Sequence, residues 1–101
     1  MLRPVKTHCL VSALKNLLPG AILEQIERTD WYSATFSGEQ IAITLILPGK
    51  TSAKRLESFS EVLPNHEFIL PGWFVADIAV IRTETLTDYS CVYIEGLLIR
   101  E

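Results

Sequence analysis

The chain lacks most of the features that announce a chemistry. It has no surplus of positive charge: 9 Lys and Arg stand against 12 Asp and Glu, a net charge of −3. Phosphate binding needs a basic face, so nucleic acid is not expected as the main partner. Cysteine is scarce. Cys9 and Cys91 are far apart, have no metal-ligand spacing and make no disulfide scaffold, so the expectation is reduced thiols in the cytoplasm. Arg3 and Lys6 have no apolar stretch behind them, which argues against a signal peptide. The longest apolar runs, residues 41–47 and 73–81, fall far short of the ~20 residues that a helical membrane span needs. No motif for a cofactor or a metal is present.

What the chain does have is apolar surface. Hydrophobic residues make up 49% of it before its glycines are counted, and charged residues only 21%. Both figures are shifted toward the apolar side for a globular domain. In a chain of 101 residues, with its high surface-to-volume ratio, that points to a surface that needs a partner chain or a ligand. Composition does not break along the chain, so a single domain over 1–101 is expected, with halves 1–49 and 50–101 that share an element order.

Residues 4–18 predict a helix. Pro4 suits its first turn, and Val5, Cys9, Leu10, Ala13, Leu14, Leu17 and Leu18 recur at three- and four-residue spacing. Pro19 and Gly20 stop it. A weak strand follows at 22–26, and Thr29 and Asp30 read as a turn. Strands at 32–36 and 41–47 then suggest a hairpin closed by Gly38 and Glu39. That register gathers Tyr32, Ala34, Phe36, Ile41, Ile43 and Leu45 on one face. Residues 52–63 predict a second helix with Leu56, Phe59, Val62 and Leu63 on its apolar stripe. Residues 68–70 make a short extended piece. Two strands, 73–82 and 91–100, are joined by a polar link over 83–88. The expected fold is therefore α+β, with two helices on one face of an antiparallel sheet of about four to six strands, in the order α-β-β(-β)-α-β-β. Trp31, Tyr32, Ser33 and Ala34 resemble Trp73, Phe74, Val75 and Ala76. Internal duplication and chance likeness both account for that.

The last hairpin is the most informative segment. One register puts Phe74, Ala76, Ile78 and Val80 with Val92, Ile94, Gly96 and Leu98 on a wholly apolar face. The opposite face then carries Trp73, Val75, Asp77, Ala79 and Ile81 with Cys91, Tyr93, Glu95, Leu97 and Ile99. It too is mostly apolar, whereas a sheet face turned to water is normally polar. A second copy of the chain is the expected cover. Trp73, Val75, Ile81, Tyr93, Leu97 and Ile99 are the interface candidates. The same register sets Asp77 directly opposite Glu95, a like-charge pair that a basic residue, a metal ion or a shared proton would relieve. Alternatively the register is displaced and each carboxylate meets water.

Other residues are candidates for chemistry. Lys50, Thr51, Ser52, Lys54 and Arg55 crowd a helix N-terminus, where the helix dipole favours an anion. Gly49, Lys50 and Thr51 resemble the end of a phosphate-binding loop, but position 44 is Thr where that motif needs Gly, so nucleotide hydrolysis is rejected. His66 precedes Glu67 and suits acid–base work or ligation. His8 adjoins Cys9, whose place on the helix stripe suits packing. The function expected from all this is a homodimerising protein-interaction module. Small-molecule or anion binding, or acid–base catalysis by Asp77, Glu95 or His66, is the alternative.

Overall fold

The computed structural model describes residues 5–101; Pro4, expected in the first helical turn, lies outside them. Helix α1 spans Val5–Leu17. Its inward stripe is Thr7, Leu10, Val11 and Leu14, continued by Leu18, whereas Val5 is exposed. The stripe is turned from the expected one because Lys6 also points inward, toward the sheet. Gly20, at φ 92°, carries the chain out of the helix in a left-handed conformation that favours glycine.

β1 spans Ile22–Tyr32 and β2 Ser37–Pro48. Thr29 and Asp30 are not a turn; they pair with Gln40 and Glu39 inside one continuous ladder. Nor do Gly38 and Glu39 close the hairpin. The turn is Ser33 to Phe36, closed by the Ser33 amide donating to the Phe36 carbonyl (2.8 Å) and the Phe36 amide to Ser33 Oγ (3.0 Å). Gly38 lies inside β2, where a Cβ would collide with the Leu98 carbonyl of the neighbouring strand. Close backbone approach, not turn geometry, is what requires glycine there. Tyr32, Ala34 and Phe36 are consequently exposed, and Ile41, Ile43 and Leu45 are joined in the core by Leu47, with Leu23 and Ile26 of β1 packed against it.

Helix α2, Ala53–Val62, is capped by Ser52, whose hydroxyl accepts from the Arg55 amide. It buries Leu56 and Phe59 and runs into a single 3-10 turn, Leu63–Asn65, that buries Leu63; Val62 faces outward. β3 spans Trp73–Thr85 and β4 Tyr89–Arg100. The link between them is shorter than expected, with the Leu86 amide donating to the Tyr89 carbonyl at 2.8 Å.

The four strands form one antiparallel sheet in the order β1-β2-β4-β3. The fold is α+β with the element order α-β-β-α-β-β. Trp31 lies near the end of β1 and Trp73 opens β3, so the two tryptophans do not occupy equivalent places in the two halves. Both helices pack on one face, against Ile41, Ile43, Leu45, Ile78, Val92, Ile94 and Leu98. Each fully buried leucine or isoleucine contributes about 1.5–3 kcal/mol before entropic costs. Among the described residues no helix is long and apolar enough to cross a membrane.

Two irregularities in β3 shift its register, between Val75 and Asp77 and between Val80 and Arg82. A bulge inserts one unpaired residue and turns the side chains that follow. Trp73 and Val75 therefore lie on the helix side and pack against the core, opposite to expectation, while Phe74 is exposed. Asp77 pairs with Leu97 and Glu95 with Ala79, so the two carboxylates are not directly opposed.

Candidate functional site

The face of the sheet away from the helices has no cover among the described residues. Its composition reads off the register in rows. Trp31, Gly38, Ile99 and Phe74 form one end row, followed by Thr29, Gln40, Leu97 and Asp77. The middle row is Glu27, Ala42, Glu95 and Ala79. Then come Gln25, Thr44, Tyr93 and Arg82, and last Ile22, Ile46, Cys91 and Glu84. The face is thus apolar toward both ends and acidic in the middle.

The middle is hollow. A depression of about 400 Å³ is lined by Glu27, Asp77 and Glu95 together with Thr29, Gln40 and Ile81. Its floor includes Ala42, Ala79 and Gly96, and small residues there leave the space open. Glu27 and Glu95 flank Ala42 two strands apart, which is ~10 Å between backbones. Asp77 is diagonal to Glu95, at ~7–8 Å. No Lys or Arg lines the depression. Among the described residues, neither Asp77 nor Glu95 has an ion-pair partner.

Arg82, on the same face, is already engaged. Its guanidinium lies 4.1 Å from the Tyr93 ring centroid and 3.4 Å from the Glu84 carboxylate. Tyr93 donates its hydroxyl hydrogen to the same carboxylate at 2.9 Å. That hydrogen bond, and then burial, raise the Tyr93 phenol above its ordinary value.

The other candidates fall elsewhere. Lys50 and Lys54 are exposed beside the start of α2. Ser52 is committed to its cap, accepting from the Arg55 amide at 3.2 Å, and the Arg55 guanidinium donates to the Pro19 carbonyl at 2.5 Å. Two members of the expected anion site thus serve the fold, and Thr51 is half-buried beside them. His66 lines a second cleft of about 440 Å³ with His8, Cys9 and Glu67, a meeting of segments that sequence reasoning did not bring together. The His66 ring packs edge-on against Phe68, centroids 4.7 Å apart. Among the described residues no group of three or more His, Cys, Asp or Glu is arranged to hold a metal. Cys9 packs on the helix side and Cys91 lies on the uncovered face, and both are free.

Two features were missed. Glu27 is the third carboxylate of the depression; the signal for it was the run 22–32, which holds no Gly or Pro to end a strand. The second is a partly buried cluster at the other face. Lys6 Nζ lies 3.0 Å from Glu39 Oε1 and 4.3 Å from the Trp73 ring centroid, and the Arg100 guanidinium lies 4.7 Å from the same ring.

Comparison with protein-family models, with curated proteins and with solved structures finds no match for this chain.

Proposed function

We propose that the chain is a homodimerising protein-interaction module, cytoplasmic and without catalytic activity. The observation that supports this reading is the one-sided sheet: four strands with helices on one face only, and Ile22, Phe74 and Ile81 exposed on the other. An antiparallel sheet stands comfortably in water when its outer face is polar, and large exposed apolar side chains mark a contact surface. Of the interface residues expected from sequence, Trp73 and Val75 are already covered by the core and Ile99 is buried within the chain, while Ile81, Tyr93 and Leu97 remain on the uncovered face. Light scattering and sedimentation velocity across the micromolar range test the reading. A dimer is expected; a monomer at every concentration overturns it.

The acidic depression favours a second reading, small-molecule binding. With three carboxylates and no basic side chain in its lining, it suits a cationic ligand such as an amine. Calorimetric titration with a diamine tests it: binding that disappears in Glu95→Gln supports this reading, and no heat in the wild type ends it. Acid–base catalysis has less support, because the bulges remove the direct Asp77–Glu95 opposition that would force a shared proton.

A further inference from the structure

Resting on the homodimer reading, we propose that the contact is controlled by pH: covering the open face drives protons onto the carboxyls of Glu27, Asp77 and Glu95, so the dimer tightens as pH falls below neutrality.

The apolar and acidic residues of this face cannot be covered separately. Ile81, 57% exposed, and Leu97 line the same depression as the three carboxylates. A second copy that takes Ile81 out of water also strips water from Asp77 and Glu95. Loss of water and a nearby like charge each favour the neutral form of a carboxyl. Symmetry supplies the like charge. The middle row, Glu27, Ala42, Glu95 and Ala79, has two rows on either side of it, so a two-fold contact that covers the whole face has its axis near this row. With the axis across the strands, Glu27 meets the second copy's Glu27, and Glu95 the second copy's Glu95. With the axis along the strands, the row lies on its own reverse and each glutamate sits over an alanine. The glutamates of the two copies then interleave at the ~5 Å spacing of adjacent strands. Either arrangement gathers the carboxylates of both copies, whatever the register.

The face offers little to offset them. Among its paired residues Arg82 is the only base, and it already serves Glu84 at 3.4 Å and the Tyr93 ring. β1 and β2 bring only the neutral polar groups of Gln25, Thr29, Gln40 and Thr44 beside Glu27. The Gln25 amide donates to the Glu27 carboxylate at 2.6 Å. Among the described residues, Asp77 and Glu95 have no ion-pair partner. Tyr93 and Cys91, the other titratable groups here, ionise on the alkaline side, and His8 and His66 line a separate cleft. The carboxyls are therefore the groups that respond below neutrality. They hold protons more tightly in the dimer than in the monomer. Their contribution to the dimer is present at low pH and is lost as pH rises through the dimer's higher values.

Sedimentation velocity in a chelating buffer tests this for wild type, Glu95→Gln and Glu61→Gln. Two conditions, about pH 7.5 and about pH 6.0, lie above the carboxylate range and above the isoelectric point near 5.3. Glu61 is exposed on α2, so the control loses the same charge without touching the face. Wild type is expected to dimerise ~5-fold more tightly at the lower pH. Glu95→Gln is expected to dimerise ~10-fold more tightly than wild type at the higher pH and to lose much of the pH dependence, with Glu61→Gln unchanged. Equal wild-type affinity at the two pH values overturns the control by pH and leaves the homodimer standing. So does a Glu61→Gln dimer tightened as much as Glu95→Gln, which traces the effect to net charge. Wild type and Glu95→Gln both monomeric in both conditions overturn the homodimer reading as well.

Discussion

The Lys6 ammonium lies 3.0 Å from the Glu39 carboxylate, joining the start of α1 to β2, with only 9% and 17% of the two side chains exposed. The contact is charge to charge, without hydrogen-bond alignment. Lys6 also covers the Trp73 ring, so the pair ties α1 to both β2 and β3. Removing one partner leaves a poorly solvated charge. Lys6→Met is expected to destabilise the fold by about 2 kcal/mol, and the double variant Lys6→Met with Glu39→Leu by much less. Urea unfolding of the three chains measures both. Equal losses in the single and double variants would mean that packing, not charge, matters at this position.

Gly38 gives a second expectation. It sits mid-ladder, opposite both Trp31 and Ile99, and an added Cβ meets the Leu98 carbonyl, which cannot move without breaking the sheet. Gly38→Ala is expected to cost about 3 kcal/mol by overpacking. A glycine serving only turn flexibility on an exposed loop would cost far less. At Gly49, whose added Cβ meets nothing within 4 Å, the strain comes only from its φ of 82°, and Gly49→Ala is expected to cost about 1 kcal/mol. Comparing the two urea midpoints checks the ordering.

These two positions also show why the sequence was readable in some places and not in others. The helices were legible because Leu10, Leu14 and Leu18, and Leu56, Phe59 and Leu63, recur at helical spacing. β2 and β4 were legible because buried residues alternate along them. Gly38 misled because a glycine after Phe36 suits a hairpin turn as well as a crowded strand interior, and only the neighbouring Leu98 backbone decides. β3 misled more deeply. Nothing in Ala76 or Ile81 announces a bulge, yet the first one carries Trp73 and Val75 from one side of the sheet to the other. Asp77 and Glu95 were placed on the right face but in the wrong rows, and Glu27 joined them only through a strand pairing that no local pattern encodes.

The clustered carboxylates carry an expectation of their own. Glu27, Asp77 and Glu95 line one depression without a cation, and Glu95 lies ~7–10 Å from each of the other two, within a Debye length at moderate salt. Their mutual repulsion destabilises the fold slightly. Glu95→Gln, which removes the charge nearest both others, is expected to raise stability by a few tenths of a kcal/mol at low ionic strength. The gain should fade as salt screens the repulsion. A thermal melt series across salt concentrations reads this. A loss of stability on neutralising Glu95, at any salt, would show that its charge is satisfied by a group on the protein.

The hydrogen bond between Tyr93 and Glu84 carries an expectation for the alkaline side. The phenol of Tyr93 donates to the Glu84 carboxylate at 2.9 Å, and this bond favours the neutral phenol, raising its pKa above 10.0. The folded value lies above the unfolded one, so the stabilisation is fully present below the unfolded tyrosine value. It is lost as pH rises through the higher folded value, on the alkaline side. The difference in tyrosinate absorbance between wild type and Tyr93→Phe isolates this residue from Tyr32 and Tyr89. It is expected to titrate later than a free tyrosine. Glu84→Gln removes the negative acceptor and should bring the titration back toward the ordinary value, while Arg82, stacked on the ring, then acts alone to lower it. A Tyr93 titration unmoved by Glu84→Gln would place the cause of the shift in burial, and would remove the Tyr93–Glu84 bond as an ordering element of the hairpin.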